Sequence, residues 1–275
     1  MVTLNSFVKT FSDEKPAESK MPVLFVGHGN PMNAIEANEY HNKWMELGKT
    51  LPRPKAILVV SAHWLTKGTK VTAMEKPKTI HDFGDFPDSL FAQQYPAAGS
   101  PEFAKETQAL ITKTKVELNQ DWGLDHGTWS VLLPMFPKAD IPVFQLSIDY
   151  SKPPQYHYDL AKELSALRKK GVLIIGSGNI VHNLGMIDWS GPNGQPYDWA
   201  VEFDEKIKKF IDDRNHQGII DYDKLGSIAK LAVPTNDHYL PLLYSMALQE
   251  KNESLTYFNA KCEMGSMSMR SVKIG

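Results

Sequence analysis

Short runs in which apolar residues follow one another without alternation recur along the chain, at Val23 to Val26, Ala56 to Val60, Ile141 to Ile148 and Val172 to Ile175. Their length and β-branched content predict strands buried on both faces. Between them the pattern shifts to a helical period over about 38–50, 102–114, 155–170, 198–214 and 238–249, with Leu160, Leu164 and Leu167 forming one stripe. A further helix is predicted at 128–135, and Leu255 to Phe258 and Ser268 to Ile274 read as two late strands added antiparallel to the sheet. Strand alternating with helix predicts an α/β fold: a single domain with a central mixed, mostly parallel sheet flanked by helices. The segment 77–100 follows neither period and carries Phe83, Phe86, Phe91 and Tyr95 among its prolines and glycines. A loop of that length inside a compact domain is expected to cover or serve a site. Residues 1–20 read as a polar tail and 21–275 as the domain, with no internal repeat and no low-complexity segment.

Composition narrows the function classes. Thirty Lys and Arg are interleaved with 32 Asp and Glu over 275 residues, which argues against a nucleic-acid or anionic-membrane surface. No apolar run approaches the roughly 20 residues of a membrane span. The first 20 residues hold acids and lysines where a secretory signal needs an apolar stretch, so a cytoplasmic location is expected. Cys262 is the one cysteine; it can form neither an internal disulfide nor a thiolate zinc site, and any metal must be held by nitrogen and oxygen.

The histidines carry the most information. His28 follows the first apolar run in Gly27-His28-Gly29-Asn30-Pro31, His63 follows the second in Ser61-Ala62-His63-Trp64, and His182 follows the last of the four in Gly178-Asn179-Ile180-Val181-His182. Ligands in open α/β sheets bind outside the carboxyl ends of the strands, so these imidazoles are expected to converge there. His238, at the start of the helix whose apolar face is Leu240, Leu243 and Ala247, can reach the same place. A neutral imidazole is a common transition-metal ligand, and a mononuclear metal site follows. No H-E-x-x-H is present, so the site is assembled from distant segments. His126, before the helix at 128–135, reads either as a substrate-contacting group or as a histidine that merely starts a helix. Nothing in the sequence directs His81, and His41, His157 and His216 read as solvent residues. Gly176-Ser177-Gly178 lacks the rest of a phosphate-binding fingerprint. Cys262, Ser266 and Ser268 have no nucleophile elbow around them and read as structural.

These segments, with Leu124-Asp125-His126-Gly127-Thr128-Trp129, Val181-His182-Asn183-Leu184 and Asp237-His238-Tyr239-Leu240-Pro241, together resemble the DOPA 4,5-dioxygenase-type extradiol dioxygenases of the class III ring-cleaving superfamily. The resemblance runs from about Met21 to the C-terminus and is nearest to bacterial members. It implies one divalent metal per chain, zinc or iron(II), with His28, His63 and His238 as ligands and His182 as acid/base or fourth ligand. It also implies His126 as a proton donor, with a small catechol such as DOPA and O₂ as reactants. Better-known class III enzymes use two histidines and a glutamate; His238 takes the glutamate's place here. Trp129 and Tyr239 either line the ring slot or simply pack, and Arg53, Lys67 and Arg270 are the cations that could read a substrate carboxylate. Two alternatives stay open at this point: a zinc hydrolase on the same site, and a non-catalytic metal-binding interaction protein.

Overall fold

The computed structural model describes residues 20–190 and 194–275, so the expected tail lies outside the described residues apart from Lys20. The apolar runs form a six-stranded sheet of β1 (Val23–Gly27), β2 (Ala56–Ser61), β3 (Val143–Gln145), β4 (Val172–Gly178), β5 (Leu255–Phe258) and β6 (Ser271–Ile274). Its order is β3-β2-β4-β1-β6-β5. The first four in that order are mutually parallel, and β6 runs antiparallel to both β1 and β5. This is the expected mixed, mostly parallel sheet.

Continuous apolar runs suit these strands because both faces are covered. Phe25, Leu58, Val60 and Ile174 face one core, closed by the helices Pro154–Lys162, Asp198–Asp212 and Leu240–Met246. Their neighbours Leu24, Val26, Val59 and Ile175 face a second core, closed by the helices Glu39–Thr50 and His126–Met135. Register makes the carboxyl ends level, since Gly27 is opposite Gly178 and Ser61 opposite Ser177. Each strand therefore delivers its following residues to one edge.

Several predicted boundaries move. The run 141–148 divides, because after Val143–Gln145 the Ser147 hydroxyl takes the Lys70 backbone N–H at 2.8 Å and draws the chain away. Ile148–Asp149 then pairs with Leu65–Thr66 outside the central sheet. The helix predicted over 155–170 breaks after Lys162, where Glu163 turns to accept from the Thr112 backbone N–H at 2.8 Å and a second helix starts at Ser165. The helix over 102–114 ends at Leu110, and that over 238–249 occupies Leu240–Met246, which leaves His238 just ahead of it. The final strand is shorter than expected, with Met267–Ser268 paired instead to Cys262–Glu263. Short helices at His216–Ile220 and Ser227–Ala232, and a parallel pairing of Thr69–Thr72 with Val116–Asn119, gave no clear period in the sequence.

At the amino ends of β1 and β4 sits a buried cation. Arg168 is 1% exposed; its guanidinium donates to the Met21 carbonyl at 2.8 Å and the Leu248 carbonyl at 2.7 Å, and pairs with Glu253. Among the described residues, no helix is long and apolar enough to cross a membrane.

Candidate metal centre

Five histidines meet at the carboxyl edge. His28 directly follows β1, His63 follows β2 by two residues, His182 follows β4 by four, His126 begins the helix His126–Met135, and His238 precedes the helix Leu240–Met246. The last of these approaches because β4 is bare at its end. A Cβ on Gly178 would lie 2.1 Å from the His238 carbonyl oxygen, and one on Gly176 would lie 2.3 Å from that of Pro241. The Gly176-Ser177-Gly178 sequence thus makes room for a helix rather than a phosphate. Asn179 donates its backbone N–H to the His238 carbonyl at 2.8 Å and fixes the approach.

The ring nitrogens are sorted by their partners. Ser177 gives its one hydroxyl proton to the Gly127 carbonyl at 2.5 Å, so toward His28 Nδ1, 3.0 Å away, it accepts. His28 therefore carries its proton on Nδ1 and leaves Nε2 bare. His238 Nδ1 lies 2.5 Å from Asp237 Oδ2, and His63 Nδ1 lies 3.4 Å from Asp82 Oδ2. Asp237 accepts from Nδ1 of His238, and the Asp82 carboxylate is the anion facing Nδ1 of His63, so both favour a bare Nε2. Nε2 of His28 and Nε2 of His63 stand 3.2 Å apart. Two ligands tetrahedrally arranged about zinc at roughly 2.0–2.1 Å are separated by about 3.3 Å. Ligand atoms of His28, His63 and His238 all fall within 4.8 Å of one another, so this donor set fits a single divalent ion.

Burial and mutual proximity keep His28, His63 and His182 neutral. Burial lowers the pKa of His28 well below its usual value, and the neighbouring rings of His238, His126 and His182 lower it further. The same holds for His63, first through burial and then through His126 and His238. His182 is brought down to about 2 by burial and His238, against a smaller opposing pull from Asp237. Burial raises Asp237, but the hydrogen bond from His238 more than reverses that and leaves the carboxyl well below its ordinary range. Its negative charge stays in place behind the ring, as in carboxylate–histidine–metal arrangements.

Around the rings lies a cavity of about 340 Å³. Phe83, Phe86, Leu184, Ile187, Trp189, Met264 and Met267 make its apolar wall, and His182, stacked on His238 at a ring separation of 3.5 Å, stands on its lining. Trp129 and Tyr239 do not line it. Trp129 donates Nε1–H to the Ile80 carbonyl at 2.9 Å and Tyr239 gives its hydroxyl to Ile219, so both are packing residues. Arg270 is 3% exposed and held by Asp204 and Glu205, Arg53 faces solvent beside Asp140, and Lys67 is exposed; none borders the cavity.

The remaining histidines also correct the sequence reading. His157 is fully buried rather than solvent-facing, because its helix packs on Leu240–Met246 and Tyr244 pairs with its Nδ1 at 2.9 Å. His216 is half-buried between Tyr158 and Gln249, and His41 lies against the Asn33 carbonyl. His81 pairs with the Gln93 carbonyl, outside the cavity lining. Ser266 and Ser268 donate to the Asn183 carbonyl and Asp204, and burial pushes the Cys262 thiol up, so none is an activated nucleophile. Sequence reasoning missed the carboxylates. Asp82 belongs to a stretch, Ile80-His81-Asp82-Phe83, that shares the family resemblance but has no period to direct it, whereas Asp125-His126 and Asp237-His238 each place an acid directly before a site histidine.

Residues 21–268 match the family described as the catalytic LigB subunit of aromatic ring-opening dioxygenase. The chain is 48% identical over 265 residues to the 4,5-DOPA dioxygenase extradiol of Escherichia coli K12, covering 94% of this chain and 96% of that protein. To the protein of the same name from Mirabilis jalapa it is 36% identical, covering 83% and 86%. The crystal structure of an uncharacterized protein from Escherichia coli K12 superposes with a TM-score of 0.81 at 44% identity, over 93% of this chain and all of that one.

Proposed function

This chain belongs to the family of catalytic LigB subunits of aromatic ring-opening dioxygenases, and from that membership we propose that it opens the ring of a catechol, adding both atoms of O₂, at one divalent metal held by His28, His63 and His238. The observation that carries the metal is the pair of Nε2 atoms 3.2 Å apart, whose protons are drawn to the far side of each ring by Ser177 and Asp82. Two bare lone pairs at that distance repel unless a cation lies between them.

The metal, when bound, would supply positive charge that eases loss of a phenolic proton and, as iron(II), a path by which electrons of the catechol itself reach O₂. An all-histidine set accepts zinc as well as iron(II), and iron(II) is the working ion proposed here. His182, on the cavity lining and stacked on His238, is placed to take a phenolic proton on a ring nitrogen, and the negative charge of Asp237 favours its protonated form. His126 has its Nδ1 beside Asp82, which leaves Nε2 to exchange a second proton. Phe83, Phe86 and Trp189 offer flat apolar surface to an aromatic ring and limit water around it. A zinc hydrolase or a non-catalytic protein on the same fold is not retained, because the family is one of ring-opening dioxygenases.

For the substrate, a DOPA-like catechol is the reading supported by the names of the relatives. Anaerobic loading with Fe(II), followed by O₂ and a panel of catechols, is expected to give a yellow ring-fission product with stoichiometric oxygen uptake. No product with any catechol, despite one bound metal per chain, would sink the proposal. The described cavity lining holds no lysine or arginine. DOPA and dopamine should therefore differ less than tenfold in kcat/KM, below about 1.4 kcal/mol. A larger preference for DOPA would overturn this expectation.

A further inference from the structure

Asp82 stands where the long loop meets the histidines. The loop is pinned just before it: Ile80 donates its backbone N–H to the Leu124 carbonyl and Leu124 donates back to Lys78, both at 2.8 Å. From that anchored point the Asp82 carboxylate reaches two residues of the site. Oδ1 accepts the backbone N–H of His126 at 2.8 Å and lies 3.0 Å from Nδ1 of the same ring, while Oδ2 lies 3.4 Å from His63 Nδ1. His126 is 6% exposed and its buried Nδ1 has no aligned hydrogen-bond partner, so the carboxylate 3.0 Å away is the acceptor that faces it. The next residues of the loop, Phe83 and Phe86, form part of the cavity wall.

We propose that Asp82 is a positioning residue which holds the Nδ1–H forms of His63 and His126 and, with the same carboxylate, seats the aromatic wall of the cavity. This rests on the reading of His63 as a ligand and His126 as a proton donor. The logic is that of an oxygen acceptor behind a ligating imidazole: it fixes the ring's orientation, keeps Nε2 free for the ion and raises its basicity. Asp82 differs from Ser177 and Asp237 in acting on two rings at once. It would thereby couple the placement of the ion to the placement of the substrate ring.

An Asp82→Asn variant separates this role from a purely structural latch. The asparagine oxygen still accepts the His126 backbone N–H and keeps the loop seated. Its NH₂ group then faces His63 Nδ1 as a donor and favours the tautomer with the proton on Nε2, which cannot bind the ion. The probe is Co(II) added to metal-free protein, read by its visible spectrum and by equilibrium binding, with thermal unfolding of the metal-free protein as a control. We expect Co(II) affinity to fall ten- to a hundred-fold, with an altered spectrum and an unchanged unfolding temperature. Asp82→Glu should recover part of the affinity, and Asp82→Ala should in addition raise KM for the catechol as Phe83 and Phe86 lose their seat.

Wild-type affinity, spectrum and kcat in Asp82→Asn would overturn the proposal. So would a second equivalent of Co(II) in the wild type that Asp82→Asn loses, because Asp82 would then be a ligand. Failure of the wild type itself to bind Co(II) would instead count against the metal site as a whole.

Discussion

The two ends of the central sheet treat buried polar groups in opposite ways. At the amino ends of β1 and β4, Arg168 is a full charge whose donors are taken up by the Met21 and Leu248 carbonyls and by Glu253. At the carboxyl edge of the sheet, each Nδ1 of His28, His63 and His238 faces an oxygen, Nε2 of His28 and Nε2 of His63 converge, and His238 offers a ligand atom beside them. One end is closed by the chain itself; the other is completed only by something added to it. Polar groups are buried at both ends, so burial by itself does not mark function. What marks it is polar capacity held in place and left unused.

Removing a converging ring should give the largest effect. His28→Ala or His63→Ala is expected to lower metal affinity more than a hundred-fold and abolish turnover while leaving the metal-free protein folded, as checked by elemental analysis and circular dichroism. If either variant keeps its metal, the contrast between the two ends fails. His182→Ala should retain the ion and lower kcat by roughly 10²–10⁴-fold, the usual contribution of a general base. Loss of metal from that variant would make His182 a fourth ligand.

At the amino end, Arg168→Ala should leave kcat per folded molecule untouched and cost stability, about 3 kcal/mol for breaking a buried pair. Urea unfolding measures it, and a change below 1 kcal/mol would show that this end is not closed by Arg168. Glu253 gives the same end an acid dependence. Burial raises its carboxyl, but Arg168, the Glu250 backbone N–H and Lys20 bring it down to about 2. A carboxyl lowered in the folded state stabilises fully above its unfolded value near 4.5, and that contribution is lost as pH falls toward 2. Glu253→Gln should flatten the stability curve in this window, and an unchanged slope would contradict the assignment. The smallest effect is expected from Arg53→Ala, whose exposed pair with Asp140 should shift stability by less than about 0.5 kcal/mol.

Much of this contrast could be read in the sequence at one end and little at the other. His28, His63 and His182 were legible because each follows an apolar run, and the level register of β1, β2 and β4 turns that sequence position into proximity. Asp82 and Arg168 were not. Asp82 lies in a segment without period, and its direction is set by backbone pairing to Leu124, which has no compositional trace. Arg168 is a cation on a helical stretch, a pattern that normally means solvent; only the strand ends packed against it show otherwise. Trp129 and Tyr239, which the sequence left open between ring slot and packing because they lie near site histidines, turn into the core. The helix over 155–170 failed at Glu163 because a side chain committed to Thr112 and Lys113 ends a period that the leucine stripe continues.

The level register has a kinetic consequence. His28 meets Ser177 across a sequence separation of 149 residues, and Gly27 is tied to Ser271 across 244. Loops that long must close before the imidazoles become neighbours, and non-local closure of this kind slows folding. The ion therefore has no binding site in the early chain and cannot serve as a template for the sheet. It should act only afterwards, by mass action on the finished fold. Stopped-flow measurements should then show unfolding slowed by added metal and a refolding rate that does not respond to it.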